Sequence, residues 1–431
     1  MVSKLKRHLT FQSGGIFKVF SLTAVSTLVK MLTGLVSVKV VAVIIGPSGI
    51  ALLGQLNSFA TIIMVVASGG INTGITKYIS EYRNSNSDII KLLSNALKIT
   101  LACSIVCGLF MIVLSGYLSR KIMLSNDYKY IFVIFGATVF LYALNGLISS
   151  VLNGYKEFKL FVVVNIIGSL GGLIFTLSFV YFLGLKGALI SAVTFQSVMF
   201  LISLIMIRKL PWVKQEYFNQ PVDKQTLLKY LHYSLMTFVT AATAPVAQII
   251  LRGHVIANIS ATEAGWWEAM SRISNMYLLV ITTSFSVYYL PRLSEINNIQ
   301  IIRKEIINSF KIIVPVLIAG FSILYIGRFL VIKLLFSTEF LQMEKLFLWQ
   351  LLGDFFKITS WLLAYLMIAK AMTRAFIITE VFFTIFYLAT AYLLMSEKGV
   401  LGIVQAYAVN YFVYLIIMLA LFRKTLFYKH T

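Results

Sequence analysis

The chain is poor in the residues that face water or bind metals. Of its 431 residues only 15 are Asp or Glu, and 12% are charged. A soluble domain carries roughly 25% charged residues, so a mostly water-facing surface is excluded and lipid must be the solvent for much of the chain. The two cysteines, Cys103 and Cys107, stand four apart in an apolar run with no His or acidic neighbour to complete a metal set. They read as small apolar filler. The four histidines, His8, His232, His254 and His430, have no acidic or Cys partner at ligand or catalytic spacing. No Gly-x-x-x-x-Gly-Lys-Ser/Thr loop is present, which excludes ATP use through a P-loop. The lack of paired carboxylates at span ends speaks against a membrane glycosyltransferase or polymerase, and the lack of a filter-like Gly-rich loop against a channel.

What is present is hydrophobic: 59% of the chain. A span needs ~20 mainly apolar residues, and twelve such runs read as helices at 17–45, 50–76, 92–118, 130–152, 160–183, 187–207, 230–257, 266–290, 306–327, 346–369, 376–395 and 400–422. The first begins near Ile16, exceeds the ~7–15 residues of a signal-peptide core and lacks a following cleavage site, so it reads as a retained helix. The breaks at Gly184–Gly187 and Ser396–Gly399 are tight enough to make antiparallel neighbours. The longest polar gap carries Pro211 and Pro221 and divides the runs six and six. The expected fold is therefore an all-α integral membrane protein of about 12 transmembrane helices in two six-helix lobes around a central cavity. Residues 1–207 form the N-terminal lobe, 208–229 a cytoplasmic linker and 230–431 the C-terminal lobe. About 23 of the 37 Lys and Arg fall on the side shared by both termini and the linker and about 8 on the other, which places the termini in the cytoplasm. The segment 328–345 mixes apolar and charged residues and reads as an amphipathic stretch on the outer interface. Lys77-Tyr78-Ile79-Ser80-Glu81 and Pro291-Arg292-Leu293-Ser294-Glu295 each follow the second run of their half, a weak sign of duplicated lobes.

Charges inside spans carry the functional signal, because each costs ~2.5–3.5 kcal/mol at a helix centre on the insertion scale. Lys30 lies near the middle of the first run, beyond snorkelling reach, with Lys39 nine residues on. Gln350, Asp354, Lys357 and Trp361 follow i, i+4, i+7, i+11 spacing and share one helix face. An Asp354–Lys357 ion pair is the bland reading of that stripe. The functional one is a substrate-binding Lys357, a Trp361 that stacks on sugar, and an Asp354 coupled to a proton or Na⁺ gradient. Arg252, after Gln248 and Pro245, suits bidentate phosphate binding, with snorkelling as the alternative. Arg272, four after Glu268, reads first as an ion pair and second as a substrate contact. Lys98 reads as a snorkelling residue, and Trp266, Trp267 and Trp349 as an aromatic belt. The excess of cations within spans implies an anionic cargo, with Lys30, Lys39, Arg252 and Lys357 replacing the hydration of a diphosphate near the bilayer midplane.

Val25-Ser-Thr-Leu-Val-Lys30, Gly46-Pro-Ser-Gly49, Thr283-Ser-Phe-Ser-Val-Tyr-Tyr-Leu-Pro291, Trp349-Gln-Leu-Leu-Gly-Asp354 and Ile368-Ala-Lys370 together resemble the Wzx-type flippases of O-antigen and enterobacterial common antigen lipid intermediates. These belong to the polysaccharide transporters of the multidrug/oligosaccharidyl-lipid/polysaccharide exporter superfamily. The resemblance runs from about residue 20 to 422 and implies two six-helix lobes in a V around a cavity. It implies an undecaprenyl-diphosphate oligosaccharide moved from the cytoplasmic to the periplasmic leaflet of a bacterial inner membrane by alternating access. It implies no cofactor and no nucleic acid, with a polysaccharide polymerase and a chain-length regulator as partners beside the lipid bilayer. Residue by residue it carries over to Lys30, Lys39, Arg252, Asp354 and Lys357, and less closely to Arg272. A peptidoglycan lipid-precursor flippase and a multidrug antiporter share the expected fold. The antiporter calls for acidic rather than basic residues within the membrane.

Overall fold

The computed structural model describes residues 2–82, 85–218, 220–296, 298–370 and 372–427, and these are helical almost throughout. Helix α1 spans Val2–Ala67 and is broken at Gly46, whose φ of 64° only glycine adopts readily; Pro47 then opens the second arm. That arm stops at Ala67, because Gly69 and Gly70 both take positive φ and turn the chain into the short α2, Asn72–Glu81. The apolar run 50–76 is thus not one helix: its last third is a glycine turn followed by a separate element.

Helices α3 (Asn86–Val113), α4 (Ser115–Ile122), α5 (Lys129–Gly154) and α6 (Phe158–Ile207) complete the first half. Helices α7 (Lys224–Asn258), α8 (Ala261–Ser284), α9 (Leu290–Glu295), α10 (Ile299–Ile326), α11 (Arg328–Leu335), α12 (Phe347–Ala369), α13 (Thr373–Lys398), α14 (Val400–Leu421) and the short α15 (Arg423–Phe427) follow. A π-helical turn, Phe285–Tyr289, joins α8 to α9. Nine helical stretches among the described residues are long and apolar enough to cross a membrane. Glycine breaks fold the α1 and α6 stretches in two, and α8, which carries Glu263, Glu268 and Arg272, completes the expected twelve.

Element order repeats between the halves. Helices α3 and α10 are 28 residues each, and both lead into an eight-residue helix, α4 or α11, and then a 3-10 turn. The expected interfacial segment 328–345 is therefore α11 plus the 3-10 stretch Thr338–Leu346, with Arg328 paired to Glu344 at 3.0 Å. The closing hairpins also match. Gly184 and Gly399 both take φ 56°, with ψ −131° and −140°. Three residues on, a Cβ at Gly187 would stand 1.9 Å from the Phe179 carbonyl oxygen, and one at Gly402 2.2 Å from that of Leu394. Each Gly-x-x-Gly turn thus reverses a helix within four residues and lets the new helix start against the backbone of the old.

The polar stretch before α7 is docked, not loose. Ser94 Oγ donates to the carbonyl oxygens of Phe218 (3.1 Å) and Gln220 (2.9 Å), and Asn95 Oδ1 accepts from the Asp223 N–H at 3.1 Å. Trp212 stacks on Tyr155 with centroids 5.6 Å apart. Lys98 donates its ammonium to the Gln220 carbonyl, so it anchors this stretch rather than snorkelling to a headgroup. Asp223 then caps α7, accepting from the Thr226 N–H (2.9 Å) and hydroxyl (2.7 Å).

Two compact units result: Met1–Ile44 with Leu56–Ala242, and Ile45–Gln55 with Thr243–Thr431. The chain passes from one to the other inside α7, between Ala242 and Thr243, two residues before Pro245. Each unit has its own apolar core, the first around Ile75, Ile79, Leu93 and Leu152, the second around Leu293, Leu362, Leu363 and Met367. The outward faces are equally apolar, with Tyr181, Phe182, Ile326 and Leu330 among the most exposed side chains, as lipid contact requires.

Gly187→Ala and Gly402→Ala each press a methyl group into a carbonyl oxygen and are expected to cost about 1–3 kcal/mol. In a thermal-shift series on detergent-solubilised protein both should lower the midpoint. Gly320→Ala, where a Cβ meets nothing within 4 Å, should leave it unchanged or raise it.

Candidate functional site

The second unit holds two sets of buried and half-buried charged residues. The first is built on Glu268 of α8. Its Oε2 lies 2.6 Å from Arg252 Nη2 of α7 and its Oε1 lies 3.0 Å from Arg272 Nε, one turn further along α8. Arg252 is 1% exposed. It also donates to Gln55 Oε1 at 3.4 Å, while Gln55 Nε2 donates to the Ile249 carbonyl at 3.0 Å. The Arg252 guanidinium stands 5.5 Å from the ring of Trp267, so that indole is a buried neighbour of a cation and not part of an interfacial belt. Gly54 leaves the space the Glu268 carboxyl occupies; a Cβ there would sit 2.4 Å from its carbon.

The second set is built on Asp354 of α12, which is fully buried. Its Oδ2 accepts from Ser274 Oγ (2.6 Å) and Gln350 Nε2 (3.2 Å) and from the Tyr277 hydroxyl. Its Oδ1 accepts from the Tyr407 hydroxyl of α14 at 2.7 Å. Four donors from three helices therefore converge on one carboxylate. Lys357, three residues on, forms no ion pair with Asp354 among the described residues. Its ammonium instead lies over three rings: Trp361 (5.2 Å to the centroid), Tyr407 (5.5 Å) and Tyr411 (5.1 Å). Lys357, Trp361, Tyr407 and Tyr411 are half-buried. Tyr407 belongs to both features, its hydroxyl on Asp354 and its ring under Lys357. Glu380 of α13 is a further carboxylate acting on Lys357, and it accepts a hydrogen bond from the Thr243 side chain.

Of the residues singled out in the sequence, Gln350, Asp354, Lys357 and Trp361 do form one stripe, and Arg252 and Arg272 meet at Glu268. Lys30 and Lys39 belong to the first unit; Lys30 is exposed and Lys39 half-buried. Arg252 faces a carboxylate rather than an open cavity, so its suitability for phosphate is already used internally. The sequence reading missed Gln55, Ser274, Tyr277, Glu380, Tyr407 and Tyr411. One signal was available: Tyr407, Tyr411 and Tyr414 stand at i, i+4, i+7 on α14, a one-sided tyrosine stripe.

A many-spanning helical protein whose buried charges meet across helices has the build of a membrane transporter. Its fold is shared with solved transporters of low sequence identity. It matches an inward-facing multidrug resistance MATE family transporter of the MOP superfamily with a TM-score of 0.78 at 14% identity, over 92% of this chain and 94% of that one. It matches lipid II flippase MurJ in an inward closed conformation with a TM-score of 0.73 at 15% identity, over 94% and 87%. In sequence, the polysaccharide biosynthesis protein family model matches residues 16–297. The chain is also 30% identical over 392 residues to the lipid III flippases of Escherichia coli (strain K12) and Shigella flexneri, covering 91% of this chain and 94% of each of theirs. The chain belongs to the polysaccharide biosynthesis protein family as a homologue of flippases, a multi-pass membrane transporter and not an enzyme.

Removing Arg252 leaves Glu268 buried with half its compensation, so Arg252→Ala should destabilise by roughly 3 kcal/mol. Arg252→Gln combined with Glu268→Gln should recover part of that loss. A double-mutant cycle on thermal midpoints measures the coupling, and additive single effects would mean that the pair does not hold the unit together.

Proposed function

We propose that this protein translocates an undecaprenyl-diphosphate-linked oligosaccharide, of the enterobacterial common antigen or O-antigen kind, from the cytoplasmic to the periplasmic leaflet of the bacterial inner membrane. The observation that carries this reading is the 30% identity with lipid III flippases over 91% of the chain. In this reading the two six-helix lobes, residues 1–207 and 230–431, alternate in access, both termini and the 208–229 linker are cytoplasmic, and the lipid tail stays in the bilayer. The product passes to a polysaccharide polymerase and chain-length regulator.

The charge pattern supports an anionic cargo at particular positions. In the second unit Arg252, Arg272 and Lys357 face Glu268, Asp354 and Glu380, and the charges cancel. Uncompensated positive charge lies on α1, where Lys30 is exposed and makes no ion pair among the described residues. The diphosphate role expected of the first unit's lysines therefore rests on Lys30, with Lys39 on the same helix, and Lys357 is a charged position within the second unit by itself. Trp361 contacts sugar, Gln350 is committed to Asp354 instead of the sugar contact expected of it, and Arg252 and Arg272 hold α7 and α8 in place. Half-buried tyrosine and tryptophan rings suit the apolar face of a pyranose, and Lys357 among them supplies a charged donor.

Deleting the gene and extracting the lipid-linked oligosaccharide that accumulates on the cytoplasmic side identifies the cargo. Complementation should then fall roughly tenfold or more with Lys30→Ala and with Lys357→Ala, tenfold being about 1.4 kcal/mol. Full transport by both variants at normal protein levels removes the cationic site.

A further inference from the structure

Helix α5 carries no charged residue after Lys129, yet one of its faces is polar. Tyr142, Gly146, Ser149 and Asn153 follow i, i+4, i+7, i+11 spacing, and none of the four is fully buried. Neighbouring helices hold both flanks of this face. On one flank Asn145 Nδ2 donates to Gln196 Oε1 at 2.9 Å, and Asn145 Oδ1 accepts from Ser203 Oγ at 2.9 Å, both partners lying on the second arm of α6. On the other, Thr76 Oγ1 of α2 donates to the Ser150 carbonyl at 3.1 Å, and a Cβ on Gly146 would stand 3.4 Å from Asn72 Nδ2. The polar face therefore runs along α5 between α2 and α6. Polar residues at this depth turn to protein or water rather than to lipid. Two amides beside it have hydrogen-bonding groups to spare. Gln196 is half-buried, and with its Oε1 taken by Asn145 it makes no other side-chain hydrogen bond among the described residues. Asn72 Oδ1 is buried without a partner, an arrangement that favours any group able to donate to it. Ser149 and Ser150 donate to the carbonyls of Asn145 (3.1 Å) and Gly146 (3.0 Å) on their own helix, which leaves their oxygens as acceptors.

We propose that this face of α5, with Asn72 and Gln196 at its sides, is a binding site for an uncharged sugar unit. A sugar hydroxyl both donates and accepts, as this set of amide donors and amide and hydroxyl acceptors requires. Gly146 leaves the middle of the face without a side chain, and Tyr142 offers a ring for the apolar side of a pyranose. With no cation on the face, a diphosphate or a sugar acid finds no counter-charge there. Asn145 is a positioning residue: pinned by Ser203, it fixes the Gln196 amide with its NH2 group left to donate. The site deepens the flippase reading and rests on it for the source of the sugar, assigning a neutral part of the cargo to the first unit.

Sugar binding here can be measured without the native cargo. In the full-length, detergent-solubilised protein carrying Cys103→Ala and Cys107→Ala, Ser149→Cys places a single thiol on the face. A charged thiol-specific reagent should label it. Chitobiose, a neutral disaccharide, should slow the labelling about threefold at twice its dissociation constant, and digalacturonate, an acidic one, should not. Gln196→Leu should remove the protection; if that variant does not fold, Asn72→Leu takes its place. An unlabelled thiol, no protection by chitobiose, equal or stronger protection by digalacturonate, or full protection in the leucine variant overturns the site. The flippase reading fails separately: if chitobiose protects while deletion of the gene accumulates no lipid-linked oligosaccharide, the sugar site stands and that reading falls.

Discussion

A charge taken out of water and surrounded by lipid-facing helices has to be answered where it stands, and the second unit is organised around that requirement. Glu268 and Asp354 are the two hubs. Each draws polar groups from more than one helix onto a single carboxylate: α7 and α8 onto Glu268, with Gln55 joined through Arg252, and α8, α12 and α14 onto Asp354. Apolar packing alone gives such helices little reason to choose one neighbour over another, because lipid tails are as apolar as leucine. Directional bonds to a buried carboxylate do discriminate, since an unsatisfied partner is expensive. The hubs thus fix which helices meet and in which rotation.

The same requirement divides labour among the cations. An arginine locked to a buried glutamate at 2.6 Å holds structure, and its phosphate-binding geometry is spent on the protein itself. A lysine held over three aromatic rings, with no ion pair among the described residues, is less tightly bound to its carboxylates than that arginine is. An exposed lysine on α1 keeps a charge that a ligand can still use. Which positive residues suit a transport role therefore depends less on their depth in the sequence of a span than on whether a carboxylate has reached them first.

Economy of construction shows in the repeated element order. Both halves use a 28-residue helix, an eight-residue helix, a 3-10 turn, and a final pair of helices reversed by Gly-x-x-Gly with matching dihedrals. The side chains have diverged: the first half carries apolar and amide groups where the second carries the Asp354 set. Asn145, for example, binds Gln196 and Ser203, both on the second arm of α6. One scaffold therefore supports two different sets of buried polar contacts.

The sequence by itself determined the solvent, the number of crossings, the tight turns and the Gln350–Trp361 stripe. Those follow from hydropathy, glycine spacing and the 3.6-residue period, which are local properties. It left open what each charge faces. Arg252 and Glu268 are 16 residues apart, and Asp354 and Tyr407 are 53 apart, so no helical period links them. Only the tertiary structure decided that Arg252 is locked to Glu268, that Asp354 is encircled by hydroxyls, that Glu380 sits beside Lys357 and that α2 is split from its helix. The physical reason is that a buried charge is defined by its partner, and partners are brought together by helix packing rather than by chain order.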